Sequence, residues 1–396
     1  MLPTRESLML IWCCNPQQFE DGELGTLACF WKAVAWSMTI LFTGRWPHRD
    51  WRGVNYAVGT KEYKRAGEFL ANGYHCQLLS LCGDLDYTNK YLGTPHWGSA
   101  KRPCNLCLAT SQGPRTWKDF RDSAPWRETI LTASQWRTHA DNRNCARFKV
   151  PNVSGLSVQP DLMHAKYLGY VQFFLGSVLF LLTHHILPAS SLANLRRIGL
   201  IARRILRRTN KSAPFNLSRW SKLSIFLRQK GFPKIRGKGA QIRALAPFLV
   251  IIWNKFCSAE NINHRRISLI FKLDAEIEQI LDNHKPVNGY YTLGAQLGAV
   301  ARQKQIQLSQ LYIMREESYA EEPRPLFNAV SKLHYTAHIM DTAAALHPHL
   351  NWCWKGEDFM HVTSVLMSSC LSGRQDVSAT IKAIEKYRLV IFLAWK

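Results

Sequence analysis

The chain has 396 residues, 46% of them hydrophobic, with 14 Trp and 18 Phe, enough for two or three domains with sizeable cores and too apolar for a disordered polypeptide. Lys and Arg number 51 against 28 Asp and Glu, a net charge of +23, so a polyanionic partner is expected, nucleic acid before membrane. The 11 cysteines follow no disulfide framework and no signal peptide opens the sequence, which points to a reducing compartment.

Taken in chain order, the stretch from Glu6 to Trp46 spaces its apolar and aromatic residues as a helix does, around Phe30, Trp31, Val34, Trp36 and Met38. Gly44 to Gly59 reads as a loop. Tyr74 to Cys82 is short, apolar and bounded by glycines, the pattern of a buried strand. Asp84 follows directly, where an α/β enzyme places a metal-binding acid at a strand's carboxyl end. A turn or helix-capping role for Asp84 is the competing reading. From Ser99 to Pro151 the chain is loop-rich, with Trp117, Trp126 and Trp136 as expected anchors.

Asp161 is placed to cap a following helix, with His164 one turn in. Tyr170 to Leu182 is the most apolar run. It is shorter than the roughly 18–20 residues of a membrane span and ends at His184 and His185, so a buried core helix is expected and a membrane partner is disfavoured. Successive helices are expected to about Pro348. A short aromatic strand, Leu350 to Trp354, then leads to Glu357 at the start of another helix, where the helix dipole alone also favours an acid.

Two metal-ligand pairs stand far apart in this order. Cys104 and Cys107 form a CxxC that presents two thiolates to one ion; His334 and His338, at i and i+4, place two imidazoles on one helical face. Together they suit one structural Zn2+. A lone acid stands at a similar distance outside each pair, Asp84 before the cysteines and Glu357 after the histidines. A zinc tie would therefore bring the two acids together as well.

Charge is concentrated between the pairs. No Asp or Glu occurs between Asp161 and Glu260, whereas the interval from Lys166 to Lys255 holds 17 Lys and Arg. Arg196, Arg197, Arg203, Arg204, Arg207, Arg208 and Lys211 are spaced like one basic helix, and Lys234, Arg236 and Lys238 ride on a Gly-rich loop. Such a stretch suits phosphate neutralisation without base specificity; a solvated basic face is the competing reading.

The order Gly-Asp-Leu-Asp-Tyr, CxxC, Asp161-xx-His164, HxxxH and Glu357 resembles that of cut-and-paste DDE transposases, including the hAT and CACTA groups and the catalytic subunit of the V(D)J recombinase. The resemblance implies an α/β, RNase H-like core, incomplete at the N-terminus, interrupted by a large, mainly helical, basic insertion. Its implied division is 1–98, 99–348 and 349–396, with the zinc-stapled insertion in the middle. It matches Asp84 (with Asp86 as alternate) to the second catalytic Asp, Glu357 (with Asp358 as alternate) to the catalytic Glu, and Asp161 and His164 to an active-site element. Cys104, Cys107, His334 and His338 match its zinc ligands.

Three carboxylates in that family hold two Mg2+ or Mn2+ ions for phosphodiester displacement. No acid before Asp84 follows an apolar strand, so the first Asp is expected outside this chain and catalysis is expected to be lost. The expectation is a nuclear, transposase-derived DNA-binding protein, with self-association possible. The alternatives are a zinc-stabilised nucleic-acid-binding protein without catalytic ancestry and a basic membrane-associated protein.

Overall fold

A computed structural model describes residue 20 and residues 25–90, 92–139, 149–208, 220–286, 289–354, 363–366, 368–370 and 377–394. The main helices in chain order are α1 (Thr26–Thr43), α2 (Lys61–Arg65), α3 (Leu85–Lys90), α4 (Ala133–Thr138), α5 (Met163–Ile186), α6 (Ser191–Arg208), α7 (Gly239–Phe256), α8 (Ile262–Asn283), α9 (Gly294–Ser318), α10 (Lys332–Asp341) and α11 (Val377–Ala394). No strand or sheet occurs among the described residues, where β pairing is limited to three isolated bridges, Arg45 with Phe69, Arg49 with Asn55 and Thr110 with Thr116.

The expected α/β RNase H-like core is thus corrected to a helical architecture. The reason is visible at both expected strands. Tyr74 to Cys82 is extended, but Tyr74 is 80% exposed and Leu79 58%, and no neighbouring segment pairs with it along a ladder. At Leu350 to Trp354, a 3-10 turn over Pro348–Leu350 takes the place of the strand's start. An apolar run bounded by glycines supplies side chains fit for a strand, yet only a partner backbone makes one.

The chain divides into two compact units. The first combines Met1–Thr94, Ala133–Val158 and Cys353–Lys396; the second combines Pro95–Thr132 and Gln159–Trp352. In the first, α1 ends at Gly44, whose left-handed φ of 64° lets its N–H close on Ile40 O in a helix stop. Trp136 on α4 is fully buried, and the neighbouring Arg137 Nε donates to Val153 O at 2.6 Å.

In the second unit α5 is the central helix. Of its 24 residues, 83% of the apolar window is buried, as a core helix rather than a span requires. Asp161 starts it as expected, accepting from the N–H groups of Met163 and His164 at 3.2 and 2.8 Å. Phe174 then packs on Phe271 of α8 (4.8 Å between centroids) and beside Tyr312 and Phe327. Gly176 lies against the loop before α7: a Cβ there would meet the Pro233 and Lys234 backbone at 2.8 Å. α8 packs on α9, α9 on α10, and α10 against the first turns of α5.

Two basic residues of the charged interval turn inward. Lys166 is fully buried and binds Glu278 and, at 2.9 Å, Asp274. Arg243 bridges Glu278 and Asp282 at 2.9 and 2.7 Å. Burial alone would raise the Glu278 carboxyl, but Lys166 and Arg243 hold it at about 2. The acids come from α8, outside the acid-free interval, so these cations are neutralised within the fold. The charge left for a partner is smaller than the sequence interval suggests.

Candidate metal centre

The CxxC and the HxxxH converge. Cys104, Cys107, His334 and His338 are all buried, and their ligand atoms lie within 4.8 Å of one another. Cys107 Sγ stands 3.3 Å from His334 Nε2 and 3.4 Å from His338 Nε2, and the two Nε2 atoms are 3.1 Å apart. A tetrahedral ion with bonds of 2.0–2.3 Å requires ligand–ligand edges of about 3.3–3.8 Å, so the cluster is near the size of a closed site. It could hold a metal such as zinc.

Local structure explains the convergence. Helix spacing on α10 puts His334 and His338 on one face, one turn apart. Tyr335, on the same helix, donates its hydroxyl to Pro103 O at 2.7 Å and so fastens α10 to the residue preceding Cys104. The CxxC loop is held by Leu131 N to Leu106 O (2.9 Å) and Leu108 N to Thr129 Oγ1 (3.0 Å), while Cys104 Sγ accepts from Leu106 N at 3.3 Å.

Trp126 closes one side, edge-on to His334 at 4.4 Å and to His338 at 5.1 Å between centroids. Its own N–H donates to Asp119 O, and Arg127 beside it pairs with Asp341 at the end of α10 at 3.0 Å. Arg302 joins the same Asp341 to Asp122 at 2.8 and 2.6 Å. The sequence marks Trp126 as an anchor; the Arg127–Asp341–Arg302 clasp carries no local signal, because its members come from three separate segments.

The electrostatics suit a metal. Burial pushes the Cys104 thiol up, but the Cys107 contact and the imidazoles of His338 and His334 outweigh it and hold it well below its usual range. Cys107 moves the other way, raised by burial and by its neighbour Cys104. Burial lowers His334, which favours the neutral imidazole a metal needs.

The other expected site residues are distributed differently. Asp84 opens α3, its Oδ1 accepting from Tyr87 N at 2.5 Å, as the capping reading requires. Glu357 and its alternate Asp358 lie outside the described residues, as does Lys211. Asp161 is buried and its Oδ2 meets His164 Nδ1 at 2.6 Å, so the imidazole is oriented by the same carboxylate that caps α5.

Arg196, Arg197, Arg203, Arg204 and Arg207 are exposed on α6, with Arg208 at its end. Lys234, Arg236 and Lys238 lie on the loop before α7, as the glycines indicate; Arg236 and Lys238 are exposed, whereas Lys234 sits 4.9 Å over the Phe173 ring and is lowered by burial.

Comparison with protein-family models, curated proteins and solved structures finds no match for this chain.

Proposed function

We propose that the chain is a zinc-stapled nucleic-acid-binding protein that holds duplex DNA mainly through the arginine face of α6. One observation carries this reading. Leu195, Ile198, Ala202 and Leu206 are buried along one side of α6, and five arginines stand exposed along the other. At 100° per residue Arg196, Arg197, Arg203, Arg204 and Arg207 fall within an arc of about 120°, on a helix about 27 Å long. The apolar side fixes the helix on the unit, and the arginine face is presented as one surface with no acid on α6 to neutralise it. Phosphate contact is the use such a surface supports best, and it is tolerant of sequence.

Zinc is the ion assigned to the cluster, because two sulfurs and two imidazole nitrogens in a closed tetrahedron leave no position for substrate. Its role is structural: it joins the CxxC loop to α10. No strand cleavage or joining is part of the proposal. The transposase resemblance rests on motif order, and the described residues supply no sheet to position Asp84 beside a second carboxylate.

The test pairs metal content with duplex binding by fluorescence anisotropy between 50 and 200 mM salt. One zinc per chain is expected, with affinity that weakens steeply as salt rises. Replacing Arg196, Arg203, Arg204 and Arg207 together by Ala should weaken binding to all duplexes alike and flatten the salt slope by about 3–4. Salt-independent affinity, or a variant that binds as well as the parent, would return the α6 face to solvated surface.

A further inference from the structure

The first unit contains a cavity of about 330 Å³ that the DNA-binding reading does not use. Lys32 and Ala35, with Cys29 one turn before Lys32, supply one wall from a single face of α1, and Trp51 and Arg52 supply another from the turn that follows. Lys149 completes it.

The turn is built rather than loose. Asp50 Oδ1 accepts from the N–H groups of Arg52 and Val54, both at 2.9 Å. Gly53 takes the left-handed φ of 88° that the reversal needs, and no atom lies within 4 Å of where its Cβ would be. Trp36 Nε1 on α1 donates to Arg49 O at 2.9 Å, which fixes the turn to the helix.

The lining is chemically one-sided. Lys32, Arg52 and Lys149 line the cavity and, among the described residues, no carboxylate does; Asp50, the acid beside Trp51 in sequence, has Oδ1 committed to the turn. Among the described residues no carboxylate pairs with Lys32, Arg52 or Lys149. Beside the cations stands the half-buried Trp51 indole, with the Arg52 guanidinium 5.1 Å from its ring centroid.

A bare anion would use the cations but not the half-buried indole, and an uncharged ring would use the indole but not the three cations, which no described carboxylate neutralises. We propose that this cavity binds a nucleotide, with its phosphate among Lys32, Arg52 and Lys149 and its base against Trp51. The volume is in the range of small-molecule sites, and base–indole stacking is tolerant of which base is bound. The same group can come from a free nucleotide or from the phosphorylated end of a strand.

The zinc-loaded full chain is titrated calorimetrically with AMP, adenosine, inorganic phosphate, and a trinucleotide with and without a 5′-phosphate. AMP should bind on the order of tenfold tighter than adenosine or phosphate alone. The double variant Lys32→Gln/Arg52→Gln should lose on the order of tenfold for AMP, as should Trp51→Leu, while Trp51→Phe, which keeps a ring, should retain most binding. If the double variant does not fold by circular dichroism, Lys149→Gln replaces it and should weaken AMP in the same direction.

A phosphorylated trinucleotide that binds tighter than AMP identifies a strand end as the source; the reverse identifies a free nucleotide. AMP binding no tighter than phosphate, or unchanged in the cation and Trp51→Leu variants, overturns the proposal. The α6 quadruple variant must leave AMP affinity unchanged, so failure of this site and failure of the duplex-binding reading are separately visible.

Discussion

His334 turns Nε2 toward the other three candidate ligands, while its other nitrogen, Nδ1, is buried with no hydrogen-bond partner. Metal-binding imidazoles usually donate that second N–H to an acceptor that orients them. Here the edge contact with Trp126 has to do the orienting. Trp126→Leu, which keeps an apolar volume but loses the flat wall, should therefore lower zinc affinity by about 10–100-fold in competition with a chromophoric chelator. Unchanged affinity would mean that the Tyr335–Pro103 hydrogen bond holds α10 against the CxxC loop well enough without it. A second buried pair sets the acid response. His347 and His349 meet edge-on with centroids 4.8 Å apart, His347 Nδ1 accepts from the backbone N–H of His349, and His349 stacks on the Trp352 ring at 3.5 Å. Burial, then His284, lowers His347 to about 4; burial, then His347 and Arg243, lowers His349 to about 3. Both are neutral when folded and take up protons on unfolding below about pH 6.5, so their contribution is fully present above that pH and is lost as pH falls towards 4 and 3. At about 1.4 kcal/mol per unit, urea unfolding should lose at least ~2 kcal/mol between pH 6.5 and 4. His349→Gln should flatten that slope; an equal slope in the variant would show that His349 does not contribute and leave the acid sensitivity to His347 and the other histidines lowered by burial.

Among the elements, the loop before α7 depends on Gly176 of α5. Ile235 N donates to Gln172 O at 3.1 Å, which lays this loop directly on the α5 backbone. Gly176→Ala should cost about 1–3 kcal/mol by overpacking and should shift Lys234, Arg236 and Lys238, so both the denaturation midpoint and duplex affinity fall. A stable variant with normal binding would show that the loop yields freely. Element types were legible in the sequence where the signal is local. The basic helix, the Asp161 cap and the buried α5 all follow from spacing within a single segment. The metal ligands were legible for the same reason, since CxxC and HxxxH each carry their geometry within five residues. What was not legible depends on partners distant in sequence. Tyr74 to Cys82 has the composition of a strand but only single backbone bonds to its neighbours, Cys76 N to Leu41 O and Leu81 N to Ser157 O, and the acids that neutralise Lys166 and Arg243 sit on α8, beyond the acid-free interval.

For the molecule as a whole, a metal held by the Cys104, Cys107, His334 and His338 cluster would be a tie across a long loop. Cys107 and His334 are separated by 227 residues, and closing a loop of that length removes on the order of 5 kcal/mol of unfolded-chain entropy in the simple chain model. Chelation should therefore lower the thermal midpoint by several degrees or more, measured by calorimetry with and without a strong chelator. Re-addition of zinc should restore it, and a midpoint indifferent to chelation would show that packing of α9 and α10 closes the loop unaided. The same separation orders events during synthesis. At about 5–20 residues per second, the thiols of Cys104 and Cys107 leave the ribosome on the order of ten to forty seconds before His334 exists. Through that interval the nascent chain carries both thiols without their imidazole partners, so a metal would find the four-ligand site only once His338 has been made, and a transcript cut short before His334 yields a product with no complete site.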